Sequence, residues 1–266
     1  MSSSIGRNCI KAIIFDVDGV LLEGKKIISG APETLRLLKE AGKRLAVVSN
    51  NTSHTVEMFL QKFQGVGMPF GYDDIKVATR VTAEYIAEKS PGARVCLVGA
   101  EGFAVELRQA GLEVVAEGGA AEFLVVGNDR GISYAKFDQG LQALLQGAEF
   151  VVANRDVIMP TDQGLKPGCG CLVAGFSAMC GREPDVVIGK PSPEMLKSAL
   201  KTLGVRRSET LMVGDLLESD IIGAKELGLR TALVLTGNGK GSKERITPQT
   251  NPDFIWPDIN GLRSLL

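Results

Sequence analysis

Histidine is almost missing from this chain: one residue, His54, in 266. Acid–base chemistry must therefore fall to carboxylates, lysine or metal-bound water. Cysteine is scarce. The five (Cys9, Cys96, Cys169, Cys171 and Cys180) are odd in number and lack the spacing of a secreted disulfide framework, which predicts reduced thiols in a cytoplasmic protein. Cys169 and Cys171 form C-x-C, but His54 is far away in sequence, so no zinc site is expected and the cysteines read as small buried apolar residues. Neither sign of charge is in excess. A formal net charge of -1 argues against a nucleic-acid partner. Long apolar runs are missing too, so no membrane span is expected, and the opening MSSSIGRNCI lacks the apolar stretch of a signal peptide.

What is present is ordinary in bulk, with 44% apolar and 23% charged residues, and the length suits one large domain or two modest ones. The pattern is more telling. Short apolar runs alternate with helix-period segments, the mark of a parallel α/β fold. KAIIF reads as a strand, followed by a helix in PETLRLLKEAG with Pro32 in its first turn and Gly42 at its end. RLAVVSNN, ARVCLVG, LEVV, EFLVVG, EFVVAN, DVVIG, TLMVGD and RTALVL read as further strands. HTVEMFLQKF, VTAEYIAEK, EGFAVELRQAG, YAKFDQGLQALLQG, SPEMLKSALKTLG and SDIIGAKELG read as helices between them. GLKPGCGC is expected to be a Gly-rich turn, TGNGKGSKER a polar loop, and NPDFIWPDINGLRSLL a short strand with a terminal helix.

The first strand ends in FDVDG. Residues i and i+2 of an extended chain point to one side, so Asp16 and Asp18 can face one crevice, and Gly19 permits a tight turn. Open parallel sheets place their sites at this carboxyl end. A second acidic pair follows the strand LMVG: Asp215, then Asp220 at a predicted helix start, where it could also serve as a plain N-cap. Two such pairs at neighbouring strand ends would make a strongly negative hole. Mg²⁺ suits an oxygen-only site of few carboxylates. Two more strand ends supply the complement for a phosphate: Ser49, Asn50 and Asn51 offer a hydroxyl and turn N–H groups, and Lys190 offers a cation in a Pro-flanked turn.

D-V-D-G, the strand-ending Ser49, Lys190 and G-D-x4-D, in that order, resemble the four motifs of the haloacid-dehalogenase-like superfamily of phosphoryl-transfer enzymes. The resemblance implies a Rossmann-like doubly wound parallel sheet, with Asp16 as nucleophile, Asp18 as general acid/base, Ser49 and Lys190 on the phosphate, and metal at Asp16, Asp215 and the main-chain carbonyl of Asp18. Asp220 would support the metal shell or Lys190. About thirty residues separate Asp18 from Ser49, too few for a helical cap, whereas 140 lie between Ser49 and Lys190. The expected division is a catalytic core of residues 1–83 and 187–266 with an inserted α/β cap at 84–186. This is similar to the NagD-like subgroup, which includes nitrophenylphosphatases and pyridoxal and glycolate phosphatases, and NRDVIMPTDQGLKPGCG resembles that subgroup's cap signature.

The expected activity is Mg²⁺-dependent hydrolysis of a small phosphorylated metabolite through an aspartyl phosphate. Nitrophenyl phosphate, phosphoglycolate, sugar phosphates, pyridoxal phosphate and nucleotides are the candidates. Two other readings stay open at this point: a catalytically weak protein that senses a phosphometabolite, and a phosphotransferase to an acceptor other than water. Asn154, Arg155 and Asp156 are candidates for gripping the leaving group, with Arg155 suited to a carboxylate or second phosphate. The plain structural reading is that Asn154 and Asp156 brace a turn. Oligomeric state is not readable from the sequence; members of the subgroup often pair through an exposed cap surface, which makes a homodimer one candidate state.

Overall fold

The apolar run that opens the chain forms β1 (Ala12–Asp16), every residue of it buried. Neighbouring residues of a strand point to opposite faces, so this sheet is covered on both sides. That is why the run does not alternate with polar residues. The computed structural model describes residues 10–24, 26–115, 119–161 and 164–266, without the side chains of Pro160 and Thr161. Their contacts divide into two compact units, one of residues up to Ser49 with Glu57–Lys76 and Met195–Leu266, the other of Asn50–Val56 and Val77–Glu194.

In the first unit, β1 is followed by a small antiparallel ribbon, β2 (Leu22–Glu23) and β3 (Lys26–Ile27), by α1 (Ala31–Glu40), and by β4 (Arg44–Ser49). Helix α2 (Val56–Gln64) and β5 (Ile75–Val77) come next. Phe63 of α2 is fully buried, its ring 5.3 Å from that of Phe70, which stands 6.3 Å edge-on to Phe15 of β1. This aromatic cluster fastens α2 to the sheet.

The second unit holds α3 (Ala78–Lys89), β6 (Arg94–Val98), α4 (Glu101–Gln109), β7 (Glu113–Val114), β8 (Phe123–Val126), α5 (Tyr134–Leu145), β9 (Glu149–Val152), β10 (Ile158–Thr161), β11 (Gly164–Pro167), α6 (Cys169–Cys180) and β12 (Val186–Val187). Its parallel sheet has the order β12-β9-β8-β6-β7. Phe176 of α6 centres its core, with ring centroids 5.0 Å from Phe137 and 6.3 Å from Phe150.

The chain then returns to the first unit through α7 (Pro193–Leu203), β13 (Thr210–Gly214), the short α8 (Gly223–Glu226), β14 (Arg230–Val234) and β15 (Phe254–Trp256). The completed six-stranded sheet runs β15-β14-β13-β1-β4-β5, so the last strands of the chain sit beside the first. No helix among the described residues is long and apolar enough to cross a membrane.

The α/β reading holds, with local differences. GLKP is not a turn: Gly164–Pro167 pairs antiparallel with Ile158–Thr161 as a hairpin, and α6 begins at Cys169, before the apolar run. Neither hairpin strand has an apolar periodicity, because the hairpin forms a sheet of its own. β5 is only three residues long and carries Lys76, too brief to signal a strand. SDIIGAKELG splits into a π-helical turn, Leu217–Ile222, and α8, and the terminal helix is 3-10, Ile259–Leu265.

The cysteines also divide. Cys96 and Cys169 are buried, and burial pushes their thiols up to about 11 and about 12. Cys171, by contrast, is exposed. Thiolate is the reactive form. Alkylation at pH 8 is therefore expected to modify Cys171 in the native protein and to reach Cys96 and Cys169 only after unfolding, as peptide mass spectrometry would show. Equal labelling of Cys169 and Cys171 in the native protein would contradict this packing. Cys9 lies outside the described residues.

Candidate active site

Three adjacent parallel strands bring the first group of residues together. In the pairing of β1 with β13, Phe15 stands opposite Val213, and in that of β1 with β4, Asp16 stands opposite Val48. The carboxyl ends of β13, β1 and β4 therefore carry Asp215, Asp16 and Ser49 along one sheet edge. Asp16 is 8% exposed, and Asp215 and Asp220 are fully buried. The three carboxylates offer oxygens that all lie within 4.8 Å of one another. Unit charges roughly 5 Å apart repel by about 3 kcal/mol per pair at an effective dielectric near 20. A hard dication between the oxygens reverses the sign of that cost, and an all-oxygen donor set suits Mg²⁺ or Ca²⁺ chemistry.

Local backbone makes room for this cluster. Asp18 and the residues after it fold back, with the Gly19 N–H donating to the Leu22 carbonyl at 2.6 Å. Gly19 has φ +84°, and a Cβ there would collide with the Asp215 carboxylate. Only glycine satisfies both conditions. Asp18 itself is exposed and stands outside the three-carboxylate group. Asp220 does not cap a helix start. It lies within the π-helical turn, and its Oδ2 accepts the Leu216 N–H at 3.1 Å.

The second group lies in the second unit. Lys190 is 4% exposed. Its peptide is clasped on both sides by Asn50: the Lys190 N–H donates to Asn50 Oδ1 at 2.8 Å, and Asn50 Nδ2 donates to the Lys190 carbonyl at 3.1 Å. Asn50 is held in turn, because Asn154 Nδ2 donates to its carbonyl at 2.6 Å and its own Nδ2 reaches Asp156 Oδ2 at 3.3 Å. Asn154 Oδ1 also accepts the Asp156 N–H at 3.1 Å. Asn154 and Asp156 thus brace a turn. Arg155 points elsewhere, to a surface ion pair with Glu183. Asn51 Oδ1 accepts the main-chain N–H groups of Ser53 and His54 at 2.9 and 2.8 Å, a local Asx turn.

Asn50→Asp is the informative change here. It keeps the acceptor for Lys190 but sets a carboxylate against the Lys190 carbonyl and Asp156. The expected cost is about 2 kcal/mol, read as a fall in Tm of roughly 6 °C. A wild-type Tm would show that this clasp contributes nothing.

The sequence does not reveal several residues that support these groups. Thr52 Oγ1 accepts the Asn128 N–H at 2.9 Å, Thr79 Oγ1 donates to the His54 carbonyl at 3.0 Å, and the fully buried Glu106 accepts the Val56 N–H at 2.7 Å. These partners lie 25 to 76 residues apart, so no local pattern marks them. TGNGKGSKER after β14 is not a plain polar loop: it forms two 3-10 turns, Gly237–Gly241 and Lys243–Arg245, and the Asn238 N–H donates to Asp215 Oδ2 at 2.7 Å. Two glycines flanking one residue directly after a strand are the available signal of close backbone approach.

Comparison with known proteins gives the family of the chain. The profile of the family described as haloacid dehalogenase-like hydrolase matches residues 13–113, and a HAD-hydrolase-like profile matches residues 187–262. The chain is 37% identical over 227 residues to the 5'-nucleotidase YutF of Bacillus subtilis, covering 85% of this chain and 88% of that protein. The structure of a p-nitrophenyl phosphatase from Archaeoglobus fulgidus superposes with a TM-score of 0.91 at 36% identity, covering 97% of this chain and 99% of the other. A glycerol phosphate phosphatase from Mycobacterium tuberculosis, solved in complex with calcium, gives a TM-score of 0.86 at 30% identity, covering 96% and 75%. By these sequence matches, with their agreement in fold, the chain belongs to the haloacid dehalogenase-like hydrolases, in their NagD-like branch.

Proposed function

We infer that this protein is a phosphoric monoester hydrolase that transfers the phosphoryl group of a small metabolite to Asp16 and then to water. The observation that carries the reading is the different setting of two carboxylates one residue apart. Asp16 is buried in the acidic group, whereas Asp18 is exposed and outside it. Carboxylates in different environments take different roles.

In this reading a carboxylate oxygen of Asp16 attacks phosphorus as the bond to the leaving oxygen breaks, and that oxygen takes its proton from the Asp18 carboxyl. Water then attacks the phosphorus of the aspartyl phosphate and gives a proton to the Asp18 carboxylate, which releases inorganic phosphate and frees Asp16. Lys190 and the Ser49 hydroxyl bind the transferring oxygens, joined by the main-chain N–H groups of Asn50 and Asn51. Asp16, Asp215 and the main-chain carbonyl of Asp18 would hold Mg²⁺, with Asp220 in support; the ion would neutralise charge on the phosphoryl oxygens. The Asn50 side chain, spent on Lys190, has a positioning role.

The test is phosphate release from nitrophenyl phosphate, glycerol phosphate, sugar phosphates, phosphoglycolate, pyridoxal phosphate and nucleoside monophosphates, with Mg²⁺ and with chelator. Metal-dependent release supports the reading, and the preferred compound names the substrate class. A folded protein that binds these compounds but releases nothing is a sensor. Product formation accelerated by added alcohols or sugars marks a phosphotransferase.

A further inference from the structure

We propose that the loop after β14, Thr236 to Gly239, is a positioning strap that aligns Asp215 and the Asp16–Gly19 turn with each other, and so sets the affinity of the site for its divalent cation. This rests on the metal reading of the acidic group given above. The loop touches both halves of that group at once. The Thr236 hydroxyl donates to the Gly19 carbonyl at 2.5 Å, across 217 residues of sequence, and the Asn238 N–H donates to Asp215 Oδ2 at 2.7 Å. A charge-assisted hydrogen bond from a main-chain N–H to one oxygen narrows the rotation of the carboxylate. Gly237 lies between these two bonds with φ +53°, and a Cβ there would strike the Gly19 Cα and Asp215 Oδ2.

The strap is itself anchored. The Gly239 N–H donates to the Thr236 carbonyl at 2.8 Å, and the fully buried Ser242 donates from its hydroxyl to the Asn238 carbonyl at 3.2 Å. Two ion pairs tie its flanks down: Lys240 to Glu23 of β2 at 3.0 Å, and Arg245 to Glu218 at 2.8 Å, in the π-helical turn that carries Asp220. Each strand end that bears a metal-side carboxylate is thus tied to this one segment. Thr236 touches neither substrate nor metal in this scheme. It acts through Gly19.

The experiment is calorimetric titration of the metal-free protein with Mg²⁺ and Mn²⁺, with no turnover involved. Thr236→Val keeps the shape and removes the hydroxyl; its Kd for the ion is expected to rise by about threefold to tenfold, the usual worth of one hydrogen bond. Thr236→Ser is expected to recover wild-type affinity to within about twofold, since the same donor returns. Gly237→Ala is expected to weaken binding further, by roughly 30-fold or more, because the methyl group displaces Asp215 itself. Melting in chelator checks that each variant is folded. Undiminished binding by Thr236→Val, or failure of Thr236→Ser to restore it, overturns the strap while leaving the reading of the site intact. A wild-type protein that binds no divalent cation overturns that reading and the strap with it.

Discussion

Asp16→Asn is expected to lower kcat for phosphate release by about 10⁴-fold or more, on every substrate in the panel and at every metal concentration. The amide nitrogen and oxygen of asparagine cannot form the acyl phosphate, so the covalent route is lost and not merely slowed. A group that only bound substrate would raise KM and leave kcat near wild type. A second readout is independent of turnover. Asp16 shares its setting with Asp215 and Asp220, and removing one of three like charges relieves repulsion in the metal-free protein. In chelator, Asp16→Asn should therefore melt higher than wild type, by roughly 3 °C or more, because two of the three repulsive carboxylate pairs are removed. In saturating Mg²⁺ the order should reverse, because wild type gains more from binding the ion. Retention of one tenth of wild-type kcat would remove Asp16 from the nucleophile role.

Asp18→Asn should have the second-largest effect, and a different signature. Its carboxyl is assigned two proton transfers, one to the leaving oxygen and one from the attacking water. The amide can perform neither. For an alkyl phosphate, whose alkoxide is a poor leaving group, phosphoryl transfer to Asp16 should fall by about 10³-fold. Nitrophenolate leaves without a proton, so with nitrophenyl phosphate the first step should survive and the second should stall. Stopped-flow should then show a stoichiometric burst of nitrophenol followed by a slow steady state, with phosphate held on the protein as an acid-stable, hydroxylamine-sensitive adduct. Equal losses on both substrates with no burst would be incompatible with an acid/base role for Asp18.

Both variants touch residues that stand out in the amino-acid sequence alone, and the reason is local. A buried parallel strand is a short apolar run, and a carboxylate directly after it breaks the rule that buried charge needs a partner. Asp16 and Asp215 announce themselves in that way. Ser49 and Lys190 also follow apolar runs, and the order of the four segments carries the family resemblance. Arg155 is conspicuous for its charge, yet it sits on the surface paired with Glu183, because its neighbours Asn154 and Asp156 hold the turn and direct it outward. Asn50 stands out in the sequence only for its turn N–H; that its side chain clasps the peptide of Lys190, 140 residues away, has no local signal.

The alternation of strands and helices, the residues that end the strands, and hence the chemical class of the protein are legible in the amino-acid sequence. Those follow from burial and backbone geometry within a few residues. Tertiary structure alone decided that β13 lies against β1, which brings Asp215 and Asp220 to Asp16, and that the Thr236–Gly239 loop closes on Asp215. Strand order depends on where each crossover packs, and a single side-chain-to-backbone bond across two hundred residues leaves no periodic trace in the chain. The candidate residues are local consequences of sequence; the mutual alignment of the three carboxylates is a property of the folded sheet.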